Sequence, residues 1–318
     1  MNYQYFIEDT LLRLAFNVVA VNNCFKSSYS ATTGWDLDLP DVEFNSRTLV
    51  WLHFQDFVTP GDTIKELEKV EQKYGPNSNQ VLVTYWSHGL PKYYNGPVNL
   101  IEYSGHNYET CISISRRMSE WQPHFKMRTT AWQSLNGRKT PHRDRVVDIL
   151  KNWPEGILSY GSEIPLPEWD YSTYRGTEND ENFVRLAPIY MNTRVNVVTE
   201  TQYDRAPGIV SEKTLQAMIA CQIPIVIGHQ GIVRDCVELG FDMFDDIVDT
   251  SYDSLPNETR VEKALLLNKD VILGRAPIPL NLTQRLQQQR NYVLNTYPDL
   301  IDKKFNEQAI ALAKKLLP

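Results

Sequence analysis

A chain of 318 residues, 42% of them hydrophobic, is too long for one ordinary core and suits two domains of roughly 100–200 residues each. Its formal net charge of −7 and its pI of about 5.5 exclude a protein that holds nucleic acid mainly through phosphates, which calls for a basic excess. No apolar run reaches the roughly 18 residues that a membrane span needs. The start Met-Asn-Tyr-Gln-Tyr, with Glu8 and Asp9 close behind, is unlike a signal peptide, so a cytoplasmic protein is expected. The four cysteines form no Cys-x-x-Cys, and Cys111, Cys221 and Cys236 read as small core residues in a reducing compartment. The 17 tyrosines and 7 tryptophans suit sites that combine stacking with hydrogen bonding, or reflect a compositional habit of the source.

In chain order, Val18–Val21 reads as a short strand and Ser27–Pro40 as loop. Thr48–Phe54 is an apolar strand. Thr59–Lys73 is a helix with Ile64, Leu67 and Val70 at helical spacing. Asn79–Tyr85 and Val98–Tyr103 are further strands, and Tyr108–Trp121 a further helix. Thr129–Leu135 is strand-like. Thr140 then caps a helix that begins at Pro141 and buries Val146, Val147 and Leu150. Ile157–Tyr160 is a short strand, and Gly161–Glu181 is a long loop rich in Pro, Tyr, Trp and acids. Val195–Thr199 is a strand. Ser211 caps a helix that runs to about Gln222, and Ile223–Gly228 is a buried strand. Ile232–Leu239 is a helix ending at Gly240, Ala264–Leu267 sits in another, and Gln284–Leu294 and Phe305–Leu317 are terminal helices. Strands alternating with helices imply parallel β-α-β units. The boundary is expected near Pro123–Met127, giving an acceptor-side α/β domain at 1–126 and a ligand-binding α/β domain with terminal helices at 127–318.

The most informative stretch runs from Asn196 to Gly231. It places Glu200 at a strand end, and Glu212 and Lys213 in the first turn of a helix. A helix N-terminus offers free N–H groups and a partial positive charge that suit a diphosphate. Lys213 opposes the helix dipole unless an anion is near, and a carboxylate such as Glu212 accepts from the two hydroxyls of a ribose. The competing reading is a capped surface helix at which Glu212 is simply favourable. A second feature is the basic run from Arg116 to Arg145, which holds eight cations against Glu120 and Asp144.

Asn196-Val197-Val198-Thr199-Glu200, then Val210-Ser211-Glu212-Lys213, then Ile223-Pro224-Ile225-Val226-Ile227-Gly228 resemble the donor-binding motif of the α1,3-fucosyltransferase family and its bacterial and phage-type relatives. Upstream, Trp132-Gln133-Ser134-Leu135-Asn136, Arg138 and Pro141-His142-Arg143 resemble the family's strand, Asn-containing loop and diphosphate-binding arginine. The resemblance covers about Thr129–Asp249. It implies a GT-B-like α/β fold, two Rossmann-like domains with parallel sheets facing a cleft. It also implies a nucleoside diphosphate sugar as co-substrate, a GDP-sugar by preference, with no cofactor and no metal. The donor contacts implied are Arg143, with Arg138 as a second candidate, and Asn136, Glu200, Glu212 and Lys213. His142 and His229 lie in the donor loops as candidates to touch phosphate or base.

An inverting transferase needs a base to take the acceptor's proton. The candidates at strand ends of the first domain are Asp56, His88, Glu102 and His106, of which Glu102 and Asp56 are preferred. Asp36-Leu37-Asp38 lies in a polar stretch and reads as surface charge, and the six histidines show no metal-ligand spacing. The expected function is therefore transfer of a sugar to a hydroxyl acceptor, a glycan or other small molecule. One alternative is a transferase acting on hydroxylated bases of phage or viral DNA, held by the basic run. Another is an inactive module that binds a nucleotide sugar.

Overall fold

The computed structural model describes residues 16–21, 25–30, 34–37, 39–53, 60–85, 94–102, 125–166, 181–204 and 210–316. The chain divides into two compact units, Met1–Gly105 with Asp299–Pro318, and His106–Pro298. It is an α/β protein in which each unit is built on a four-stranded parallel sheet, as the strand–helix alternation predicts.

In the first unit, β1 (Asn17–Val21), β4 (Thr48–His53), β5 (Val81–Tyr85) and β6 (Asn99–Glu102) pair in that spatial order. Strand alternation gives the sheet two apolar faces. Val50, Leu52, Val81 and Val83 pack with Leu67, Val70 and Tyr74 of α1 (Pro60–Tyr74). Trp51, one residue out of phase, stacks on Phe305 at 5.8 Å and donates its Nε1–H to Thr84 Oγ1 at 3.2 Å. The strands β2 (Phe25–Ser30) and β3 (Gly34–Leu37) form an antiparallel pair with Tyr29 opposite Trp35. This corrects the loop expected over Ser27–Pro40, and it puts Asp36 in a strand. Both segments are short, three of the six residues of β2 are serine, and their order comes from cross-strand pairing that no local pattern announces. The helix expected over Tyr108–Trp121 lies outside the described residues.

The second unit runs β7 (Thr130–Asn136), α2 (Pro141–Leu150), β8 (Gly156–Tyr160), α3 (Glu181–Asn192), β9 (Thr193–Thr199), α4 (Glu212–Ile219), β10 (Ile223–Ile227), α5 (Ile232–Glu238), α6 (Asn257–Leu267), α7 (Lys269–Ile272) and α8 (Leu282–Asn291). A π-helical turn at Tyr292–Thr296 leads into α9 (Tyr297–Leu316). The sheet order is β8-β7-β9-β10, all parallel. From β7 the chain steps outward to β8 and then back across to β9, so the order reverses between β7 and β9. Open parallel sheets bind ligands at the carboxyl ends of such a switch point. In the first unit the described strands follow sheet order without a reversal.

Packing explains several local choices. A Cβ at Gly156 would fall on the Trp132 ring beside it, so β8 passes there only as glycine. Helix α4 stops at Ile219, short of the expected Gln222, because Cys221 takes a left-handed φ of 52° that turns the chain straight into β10. Arg128 is 2% exposed. It donates to Thr193 O at 2.7 Å, to Cys221 O at 2.9 Å and to Ala220 O. Burial pulls its pKa down to about 10. It ties the starts of β7 and β9 to the turn before β10.

Replacing Arg128 with Met would leave the Ala220 and Cys221 carbonyls without this donor, while Thr193 O keeps Gln222 Nε2–H at 3.3 Å. At about 1–3 kcal/mol for each unsatisfied group, Arg128→Met is expected to lower stability by about 3 kcal/mol or more in urea unfolding. A loss below about 1 kcal/mol would contradict the staple.

Candidate functional site

The switch point is braced by polar side chains that cross it. Thr199 Oγ1, at the end of β9, donates to Asn136 Oδ1, at the end of β7, at 2.5 Å. Asn136 Nδ2 donates to Ser134 Oγ at 3.1 Å, and Ser134 Oγ donates to Val197 O at 3.1 Å. Both amide atoms of Asn136 are thus engaged inside the sheet.

Glu200 follows directly and is 1% exposed. Its Oε1 accepts from the Ser211 backbone N–H at 3.0 Å and from Thr214 Oγ1 at 2.5 Å, while Oε2 accepts from Ser211 Oγ. Ser211 is the N-cap of α4, as its sequence predicts, and its hydroxyl accepts from Lys213 N–H at 3.3 Å. The buried carboxylate therefore seats the first turn of α4 against the end of β9.

The start of α2 is fixed to the same place. His142 Nε2 donates to Glu200 O at 3.0 Å, and Thr140 Oγ1 donates to His142 Nδ1 at 3.1 Å. A carbonyl only accepts, so the proton sits on Nε2. The Thr140 hydroxyl serves this histidine and makes no cap hydrogen bond to α2, unlike the cap expected from sequence. Arg143, 3% exposed, donates to Arg138 O at 3.2 Å and to Thr199 O at 3.0 Å, and its Nε has no hydrogen-bond partner. Burial lowers the Arg143 pKa, and the nearby Glu200 carboxylate works in the opposite direction. The His142 ring stacks on Tyr203 at 4.6 Å, with 6° between the planes. Arg260 lies over the Tyr203 ring at 4.5 Å. Its guanidinium donates to Gly228 O at 3.1 Å, Leu255 O at 2.7 Å, Tyr203 O at 3.0 Å and Asn257 Oδ1 at 2.6 Å.

Above this buried layer lie the more exposed groups. Lys213 and Glu212 pair at 2.8 Å, with side chains 31% and 36% exposed. Arg138 is exposed in the loop before α2. The N-terminal turns of two helices thus meet at one end of the sheet, with Arg138, Arg143 and Lys213 around them. First-turn N–H groups have no acceptor within their own helix, so this end carries positive potential suited to an anion.

Of the residues expected at a donor site, Asn136, Arg138, Arg143, Glu200, Glu212 and Lys213 all occur at the carboxyl ends of β7 and β9 or in the loops and helices that follow them. Asn136 and Glu200 are occupied as internal braces, so they shape the site from below. Glu102 ends β6 in the first unit, its side chain outside what is described, and Asp56 lies outside the described residues. Tyr203 and Arg260 were not anticipated. Arg260 lies in a helix whose sequence, Asn-Glu-Thr-Arg-Val-Glu-Lys, reads as an ordinary solvated face. Among the described residues no group of three or more His, Cys, Asp or Glu could hold a metal ion, and no helix is long and apolar enough to cross a membrane.

No family model matches the sequence, and no curated protein matches it. Among solved structures, the chain is similar to an α1,3-fucosyltransferase with GDP-fucose, at 13% identity and a TM-score of 0.30 over 87% of this chain and 74% of that one. It is also similar to a structure of α1,3-fucosyltransferase, at 13% identity and a TM-score of 0.29 over 87% of this chain and 73% of that one. At that level of overlap, the geometry of the site is what bears on function.

Burial holds the His142 pKa down at about 4. Between about pH 6.5 and 4 the unfolded chain binds a proton that native His142 does not, so stability falls as pH falls through that window. At about 1.4 kcal/mol per unit, the loss approaches about 3 kcal/mol. His142→Gln should flatten this part of the pH profile of unfolding free energy. An unchanged slope in the variant would contradict the assignment.

Proposed function

We propose that the second unit binds a nucleoside diphosphate sugar at the β7/β9 switch point, and that the chain is a glycosyltransferase that moves the sugar to a hydroxyl acceptor. The observation that carries this reading is the convergence of the first turns of α2 and α4, with Lys213 and Arg138 at the surface and Arg143 beneath them. The diphosphate would lie across the two helix starts. There Lys213 and Arg138 supply full charges, and Arg143 adds positive potential from below. Binding of the anion also relieves the conflict between Lys213 and the dipole of its own helix. Glu212, beside Lys213, is placed to accept from ribose hydroxyls. The same cations would stabilise the charge that develops on the leaving diphosphate. Resemblance of the motifs to the fucosyltransferases favours a GDP-sugar and an inverting displacement. From the sequence alone, the general base is proposed to be Glu102 or Asp56.

A glycan or other small hydroxylated acceptor is favoured over DNA. The basic run that a DNA substrate would need loses Arg128 and Arg143 to the interior, where both serve backbone carbonyls. The acidic net charge of −7 points the same way.

The test is a thermal-shift and calorimetric screen of GDP, UDP, CDP and ADP against the wild type, Glu212→Ala and Lys213→Ala. One nucleotide is expected to stabilise the wild type by about 2.7 kcal/mol at a hundredfold excess over its Kd. Each variant should bind it at least tenfold more weakly while keeping its own melting temperature within a few degrees. No shift with any nucleotide at millimolar concentration, or variants that respond like the wild type, would refute the site. Hydrolysis or transfer of the matching sugar nucleotide then separates an enzyme from a binding module.

A further inference from the structure

One buried group at this end of the sheet has no place in the reading above. His229 follows Gly228 at the end of β10, next to β9, and is 1% exposed. Its Nε2 lies 2.8 Å from Asp235 Oδ2, a carboxylate that is itself only 9% exposed. Its Nδ1 is buried and has no hydrogen-bond partner. A carboxylate accepts, so the pair puts the imidazole proton on Nε2 and leaves Nδ1 as a bare lone pair. A buried polar atom left in this state is unfavourable and uncommon.

Its surroundings narrow what could satisfy it. Gly228 lies against the Glu200 side chain, where an added Cβ would stand 3.2 Å from Glu200 Cβ, so His229 sits one strand over from the switch point. The start of α5 is already served, because Asp253 accepts from the Val233 and Arg234 N–H groups at 3.1 Å each. Asp235 and Asp253 lie about this turn, with Arg234 beside Asp235 and Arg260 donating to Gly228 O. In the tautomer that Asp235 sets, a ligand N–H or O–H is what Nδ1 can accept from.

We infer that His229, held in one tautomer by Asp235, is a specificity-determining residue whose Nδ1 accepts a hydrogen bond from the nucleoside part of the ligand, a base N–H or a ribose hydroxyl. The inference rests on the nucleotide-binding reading proposed above. Contact requires a shift of the Gly228–Gly231 segment. That segment has glycine at both ends, and Gly231 already stands at a φ of +94°.

The experiment uses the full chain labelled with ¹⁵N-histidine, and long-range ¹H–¹⁵N spectra recorded with GDP, UDP and 2′,3′-dideoxy-GDP beside melting curves. His229→Asn identifies the signal and keeps an acceptor near the Nδ1 position. A nucleotide that raises the melting temperature is expected to move the His229 Nδ1 signal from that of a bare nitrogen to that of a hydrogen-bonded one. His229→Phe should weaken that nucleotide tenfold or more, and His229→Asn less than threefold. A shift lost with the dideoxy nucleotide assigns a ribose hydroxyl, and a shift retained assigns the base. A nucleotide that stabilises the protein while the Nδ1 signal stays in place overturns the inference and leaves the binding site standing. Failure of every nucleotide to stabilise the wild type overturns both. Should His229→Phe not fold, the wild-type spectra decide alone.

Discussion

The Glu200 carboxylate is the interaction on which the rest of the site depends. A buried charge is tolerable only when hydrogen bonds replace its water, and here the donors are Ser211 N–H, the Ser211 hydroxyl and the Thr214 hydroxyl. All three belong to the start of α4. The same residue's carbonyl accepts a hydrogen bond from His142 Nε2–H and so holds the start of α2. One position at the end of β9 thereby sets where two helix N-termini point, and with them where Lys213, Glu212 and Arg143 stand. The positive end of the sheet is assembled around a negative charge that is fully occupied from within.

Buried arginines extend the same principle. Parallel strands end in carbonyls and loops that must be satisfied away from water, and a guanidinium offers several donors in a fixed plane. Arg260 joins the ends of the loops after β9 and β10 to the start of α6, and it clamps Tyr203 against His142. Arg143 joins the loop after β7 to the end of β9. Arg128 does the equivalent work at the opposite end of the strands. Directed bonds of this kind hold the starts of α2 and α4 in place, which limits the ordering that binding there requires.

The elements were legible where apolar periodicity is strong. The buried runs Thr48–Phe54, Val195–Thr199 and Ile223–Gly228 announce parallel strands, and Ser211 announces the start of α4. The pattern along the chain put Glu200 at a strand end and Glu212 and Lys213 at a helix start, and Arg143 joined them only through the family resemblance. The division of labour among them was not legible. Whether a carboxylate at a strand end faces a ligand or an N-cap depends on a loop of ten residues between Glu200 and Ser211, whose path the sequence does not fix. Tyr203 and Arg260 are 57 residues apart and meet only through tertiary packing. The β2–β3 pair was missed for a related reason, since its order resides in pairing between segments and not in either segment's own pattern.

Hydrogen exchange with and without the stabilising nucleotide tests the central claim most directly, because it reports where the ligand is held. The account predicts slowed exchange concentrated in the loop from Gly137 to Arg143 and in the first turn of α4 from Ser211 to Thr214. Protection that falls elsewhere, or a bound nucleotide that leaves both helix starts exchanging as before, would contradict a binding site at the β7/β9 switch point.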